Sequence, residues 1–194
     1  MSSPLLIIVT GPPASGKSSI ARRIAGRFGL PNVNKDGIKE TLFDSLGWRN
    51  RRQSARVNQA TRSLLFHFAD VLLAAGRPFV LESNFRPRRD EPAFHRLAER
   101  YPFRPLQVHC DAPAEYLVRR FYGRWQAGRR HPGHADNLTA SDIMQDIRSG
   151  QFGVLDIGGT VYRLDTGDFE SIDFAPLYEA VRVALAEDER PSGA

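Results

Sequence analysis

Short apolar runs alternate with longer amphipathic stretches along the chain, the pattern of an α/β fold with a mainly parallel sheet. Leu5–Thr10 is a continuous, partly β-branched run and reads as a central strand. Gly16–Phe28 then carries helical periodicity until Gly29-Leu30-Pro31 stops it. A weaker strand is expected over Asn32–Asn34, followed by a short helix from about Asp36 to Leu46. From about Asn50 to Ala75 a long helix is expected. Val57, Leu64, Phe68, Val71, Leu72 and Ala75 would form its buried face, Arg51, Arg52, Arg56 and Arg62 the opposite side, and Gly76 its cap. Phe79–Leu81, Pro105–Cys110 and Thr160–Leu164 read as further strands. Arg89–Arg100, Ser141–Ser149 and Ala175–Ala186 read as helices, and Asp111-Ala112-Pro113 opens another, with Asp111 suited to cap it and Pro113 to sit in its first turn. Arg124–Leu138, rich in Arg, Gly and His, interrupts the pattern as a mobile segment, and Glu187–Ala194 reads as a frayed end.

Composition adds little beyond bounds. With 194 residues and neither an internal repeat nor a long linker, one domain spanning 1–194 is expected. No apolar run approaches the roughly 18–20 residues that span a bilayer. The apolar stretch Pro4–Val9 lacks a basic lead and runs into a glycine-rich motif, so it reads as a strand rather than a signal peptide. The single cysteine, Cys110, excludes an internal disulfide framework and suits a cytoplasmic protein. The net charge of +5 is carried mainly by arginine, which suits phosphate-bearing ligands but equally a solvated basic surface.

The informative element is Gly11-Pro12-Pro13-Ala14-Ser15-Gly16-Lys17-Ser18, two glycines separated by four residues and followed by Lys-Ser. This is the Walker A pattern, and an apolar strand before it and an amphipathic helix after it supply the right context. Glycines let the backbone wrap round phosphates with N–H groups turned inward, and the helix N-terminus favours an anion. Gly11, Pro13, Ala14, Ser15, Gly16, Lys17, Ser18 and Ser19 are therefore expected to hold ATP. Lys17 would reach the β- and γ-phosphates, and the Ser18 hydroxyl would ligate Mg²⁺.

A phosphate loop does not separate kinases from other nucleotide hydrolases. No Asn-Lys-x-Asp run is present to read guanine, and the chain is short for a motor core, so a compact kinase is favoured. Asp36 lies at the end of the second predicted strand, where a doubly wound sheet opens onto its ligand crevice. There it could take a proton from an attacking hydroxyl, with Lys39 one helical turn on. Its alternative role is to cap the helix.

At these motifs the sequence resembles the small P-loop kinases of the polynucleotide-kinase and zeta-toxin type, from Leu5 to about Tyr178. The resemblance implies a three-layer α/β/α P-loop NTPase fold: a five-stranded parallel sheet in the order 2-3-1-4-5, with a lid at about residues 124–138. It implies that Asp36 is the general base toward the acceptor hydroxyl and that Lys39 stands where many members carry Arg. Glu82 occupies the strand end where similar kinases usually have an Asp that orders Mg²⁺ through water, and Ser83 and Asn84 would face the acceptor. The stretch from Pro113 resembles the helix leading into the lid of adenylate-kinase-like enzymes. Arg120 matches the arginine that packs against adenine and Arg124 the one that reaches the phosphates. Arg129 and Arg130 would close over the transferring group, and Thr166 and Gly167 would lie beside the base.

Tyr122 and Trp125 are expected to be packing residues, and Cys110 structural. His131-Pro132-Gly133-His134 reads as a lid hinge or acceptor contact rather than a zinc site, because two histidines across a Pro-Gly turn make a weak ligand set. The expected function is transfer of the γ-phosphoryl group of MgATP to a hydroxyl of a small metabolite, antibiotic or nucleoside. Two alternatives stand beside it: a polynucleotide 5′-hydroxyl kinase, and a regulatory ATPase with no acceptor.

Overall fold

The computed structural model describes residues 3–48, 51–128, 131–134 and 136–186. Five parallel strands, β1 (Leu5–Thr10), β2 (Asn32–Asn34), β3 (Phe79–Glu82), β4 (Arg104–Asp111) and β5 (Thr160–Asp165), form one sheet in the order β2-β3-β1-β4-β5. The helices are α1 (Lys17–Phe28), α2 (Lys35–Leu46), α3 (Arg51–Ala74), α4 (Glu91–Arg100), α5 (Ala114–Gln126), α6 (Asp136–Arg148) and α7 (Ala175–Ala186). The strand order and the three-layer arrangement are those expected.

β1 is buried throughout, and apolar up to Val9, because both of its faces are covered. Leu5, Ile7 and Val9 pack with Ile20 and Ile24 of α1 and Leu177 and Val181 of α7. Leu6 and Ile8 pack with Leu65, Ala69 and Leu73 of α3 and Phe94 and Leu97 of α4. A separate cluster joins Phe121 of α5 to Ala140 and Met144 of α6, so these two helices pair above the carboxyl ends of the strands.

Several expectations need correction. The buried stripe of α3 is Val57, Thr61, Leu65, Ala69 and Leu73, whereas Phe68 and Val71 are exposed at 43% and 48%. The stripe follows an unbroken i, i+4 row. Two of its members, Thr61 and Ala69, are small enough for close packing but hardly register as hydrophobic, and Thr61 satisfies its hydroxyl on the Val57 carbonyl at 2.7 Å. Asp111 does not cap α5. It ends β4, its carboxylate accepts from the Ala112 N–H at 2.9 Å, and Pro113 holds the cap position with α5 starting at Ala114. Likewise α4 begins at Glu91, with Asp90 as its cap residue.

The interruption after residue 124 is also shorter than expected. α5 continues to Gln126, α6 begins at Asp136, and Pro132–His134 forms a 3₁₀ turn with His134 buried. Tyr122 and Trp125 are exposed rather than packed, because Leu117 and Phe121 take the inward row of α5. The expected frayed end, Glu187–Ala194, lies outside the described residues. Among the described residues no helix is long and apolar enough to cross a membrane.

Candidate active site

The site is assembled by strand register. Val9, Glu82 and Asn34 fall in one row across β1, β3 and β2, so the segments following these strands open side by side. Beyond β1 the chain enters the Walker A loop. Gly11 has φ +144°, and a Cβ there would lie 2.0 Å from the carbonyl oxygen of Cys110. Ala14 also has a positive φ of 67°, and Gly16, at φ 79°, caps α1 while Phe169 closes its other side. This loop therefore depends on Gly11 twice, for its dihedral and for the missing side chain. Gly11→Ala is expected to cost at least about 1–3 kcal/mol from overpacking alone, read as a lowered midpoint in denaturant unfolding.

Beyond β2, the Asn34 side chain accepts the Gly37 N–H at 2.7 Å and caps α2. Asp36 is thus not the helix cap, and its carboxylate lines the main cleft instead. That cleft, of about 430 Å³, is bounded by Lys17 and Ser18 of the loop and by Asp36 and Lys39 of α2. Glu82 at the end of β3, Ser83 and Asn84 just beyond it, Pro13 of the loop and Arg124 of α5 complete its expected members. Four separate stretches of sequence are thus brought to one cavity.

Glu82 is buried, and that burial pushes its carboxyl up, against the pull of the Lys17 ammonium. The Ser18 side chain hydrogen-bonds to it, while Oε2 is buried with no hydrogen-bond partner. The Ser18 hydroxyl and a carboxylate with one unsatisfied buried oxygen form a hard donor pair suited to Mg²⁺, which commonly takes one or two protein ligands and completes its shell with phosphate and water. Among the described residues no group of three or more His, Cys, Asp or Glu could hold a metal.

The structure adds residues that the sequence did not single out. Lys35 lies beside Asp36 and donates to Asn84 Oδ1 at 3.0 Å. Arg86 pairs with Asp146 of α6, and Ser54 and Asn58 of α3 line the far wall. Asp142 also lines the cleft, one helical turn before Asp146. Their only sequence signal was local: Lys35 and Arg86 flank strand-end motifs, and Asp142 and Asp146 stand at i, i+4.

Burial pushes the Lys35 ammonium down to about 8 from 10.5, with Asp36 only partly opposing. A lysine held low in the folded state costs stability fully below about 8, and the cost fades as pH rises towards 10.5. Lys35→Met is therefore expected to stabilise the fold at neutral pH, by a margin that shrinks across this window. Cys110, pushed up by burial to about 12 from 9.0, acts with the opposite sign in alkali, because the unfolded thiol ionises first. Being common to both proteins, it cancels from the difference between their denaturant midpoints.

Arg120 and the 166–167 loop do come together. Its Nη1 and Nη2 donate to the carbonyls of Thr166 and Gly167 at 2.7 and 2.8 Å. Thr166 is buried, and both its N–H and its hydroxyl donate to the Asp111 carbonyl. In this arrangement Arg120 holds the loop, and the two carbonyls expected beside a base are taken. Arg129 and Arg130 lie outside the described residues. Of the two histidines, His134 lines the cleft with Nε2 2.9 Å from Glu40 Oε1. His131 stacks on Phe43; its Nδ1 accepts the Gly133 N–H, so Nε2 carries the proton given to Asp44 at 3.0 Å. Cys110 is buried, as expected of a structural thiol.

Comparison with known proteins agrees with this architecture. A crystal structure from Chloroflexus aurantiacus, provisionally called a kinase, is 35% identical over 97% of this chain and 99% of its own, with a TM-score of 0.85. A sugar kinase from Janibacter is 17% identical over 95% of both chains, with a TM-score of 0.59. The adenosine phosphosulfate (APS) kinase of Mycobacterium tuberculosis, solved with AMPPNP and APS, is 17% identical over 95% of this chain and 98% of its own, at 0.53. The last two likenesses speak to the fold alone. No curated protein matches the sequence. The AAA domain family profile matches residues 6–148, most of the chain, and the protein belongs to that family.

Proposed function

We propose that the protein is a kinase that transfers the γ-phosphoryl group of MgATP to an acceptor hydroxyl, within the polynucleotide-kinase and zeta-toxin-like branch of small P-loop kinases. The observation that carries this reading is the placing of Asp36. Relieved of capping by Asn34, it shares one cleft with Lys17, Ser18 and Glu82. A kinase needs a base and room for an acceptor, and this cleft offers a carboxylate beside a wall of polar side chains.

In the mechanism, the loop from Gly11 to Ser19 and the Lys17 ammonium hold the phosphates, and Arg120 with residues 166–167 frames the base. Ser18, and Glu82 through water, would hold Mg²⁺, which when bound neutralises charge on the phosphate oxygens. Asp36 accepts the proton of the acceptor hydroxyl as its oxygen bonds to the γ-phosphorus. The bond from that phosphorus to the bridging oxygen breaks, and ADP leaves with the electron pair. Lys17 and Arg124 stabilise the charge on the migrating group, and Lys39, Ser83 and Asn84 orient the acceptor. Residues 124–138, with Arg129 and Arg130, act as the lid that excludes water. The buried Cys110 thiol suits a reducing cytoplasm.

The test follows ADP and phosphorylated product together over a panel of sugars, nucleosides, antibiotics and 5′-hydroxyl oligonucleotides. Product formed in step with ADP supports the kinase. ADP without product from any acceptor would replace it with a regulatory ATPase.

A further inference from the structure

We propose that the acceptor is a polyhydroxylated anion, its reacting hydroxyl at Asp36 and its anionic end in a side pocket under α3 beside Arg62 and Arg89. The inference rests on the kinase reading above and names the substrate class of that same site.

The main cleft continues into a second cavity of about 260 Å³, and the two share Lys35, Ala55, Asn58 and Ser83 as lining. A single extended molecule can therefore occupy both. The wall common to both is polar except at Ala55, while Leu65 and Phe85 give the side pocket an apolar patch. Such a lining suits a carbon chain bearing a hydroxyl on nearly every atom: hydroxyls meet the polar wall and C–H groups the ring. Among the described residues no Phe, Tyr or Trp lines the main cleft, and the His134 imidazole there is paired with Glu40, so the cleft offers a base no broad ring to stack on.

Charge selects the far end. Lys35, Arg62 and Arg89 line the side pocket, and the one carboxylate among them, Asp90, is already consumed. Its Oδ1 accepts from Arg62 Nε at 2.8 Å, and its Oδ2 accepts from the Arg86 N–H at 2.7 Å and from Arg89 Nη2 at 2.8 Å. Asp90 is almost fully buried, and although burial raises its pKa, these hydrogen bonds outweigh it and hold the carboxyl below its ordinary value. Three cations against one ionised acid leave the pocket electropositive. A carboxylate or phosphate on the acceptor would complete it.

Removing Arg62 or Arg89 would strip a partner from buried Asp90, so the test adds charge instead. Gln59 is exposed on α3 and lines the side pocket but not the main cleft. Phosphorylated product is measured for gluconate, glucose 6-phosphate, glucose, adenosine and a 5′-hydroxyl oligonucleotide, with wild type and Gln59→Glu. At least one sugar anion is expected to exceed glucose in kcat/KM by about tenfold or more, with gluconate and glucose 6-phosphate separating carboxylate from phosphate. Gln59→Glu is expected to raise KM for that anion by roughly tenfold while KM for MgATP stays within about twofold. Glucose turned over as well as the anions, or KM unmoved in Gln59→Glu, overturns the anionic end. Adenosine or the oligonucleotide as best acceptor overturns the class but leaves the kinase standing. ADP release without product in any arm overturns the kinase reading itself.

Discussion

Asp36→Asn is expected to lower acceptor-dependent kcat by about 10²–10⁴-fold, the usual contribution of a positioned general base. Asparagine keeps the size and one acceptor oxygen of the side chain but cannot take up a proton. The α2 cap is not disturbed, because Asn34 and not Asp36 receives the Gly37 N–H. The variant should therefore keep its α2 cap, with a midpoint lowered modestly by loss of the charge beside the Lys35 ammonium, and its KM for MgATP should stay within a few-fold. Steady-state kinetics with a turned-over acceptor, alongside nucleotide binding by calorimetry, separates these quantities. A fall in kcat below about threefold would make Asp36 a positioning residue for the acceptor rather than its base.

Lys17→Met is expected to do something different: kcat falls by roughly 10²–10³-fold and nucleotide binding weakens with it, since the charge acts on bound phosphates and on the developing transition state. In the protein alone, Lys17 Nζ donates to the Pro12 carbonyl at 3.3 Å, a long bond that a phosphate oxygen can displace. Methionine keeps the stem that packs along the loop, so stability is expected to change little. Lys17→Arg should not rescue, because a planar guanidinium fork does not reproduce the compact point charge of an ammonium at the phosphates. Measuring nucleotide Kd beside kcat distinguishes the two variants. Asp36→Asn loses turnover with affinity kept, and Lys17→Met loses both.

The limits of sequence reading are visible in α3 and α5. Counting large apolar residues selected Phe68 and Val71 for the buried face of α3, yet the row that packs contains Thr61 and Ala69. Small residues permit close approach of helix and sheet, and no hydrophobicity scale rewards them for it. In α5, Tyr122 and Trp125 look like core residues by type, but Leu117 and Phe121 already occupy the one face turned to the fold. Arg120 shows a further limit. Its i, i+4 relation to Arg124 was legible, while its bonds to the carbonyls of residues 166 and 167 span 46 and 47 positions of sequence.

The amino-acid sequence alone determined the α/β alternation, the strands, the phosphate loop, and Asp36 as a strand-end carboxylate. All of these are local, since they depend on periodicity within one element or on the backbone needs of a single turn. Tertiary packing decided which of these residues meet. The register of β1, β3 and β2 sets Val9, Glu82 and Asn34 in one row, and with them brings Lys17, Ser18, Glu82 and Asp36 round one cleft. The docking of α3 supplied Asn58, Gln59 and Arg62, and the pairing of α5 with α6 brought Asp142 and Asp146 over the cleft. Polar residues on helices carry no periodic signature of the cavity they face. Burial and electrostatic surroundings, which made Lys35 and Glu82 chemically unusual, exist only once distant segments have excluded water together.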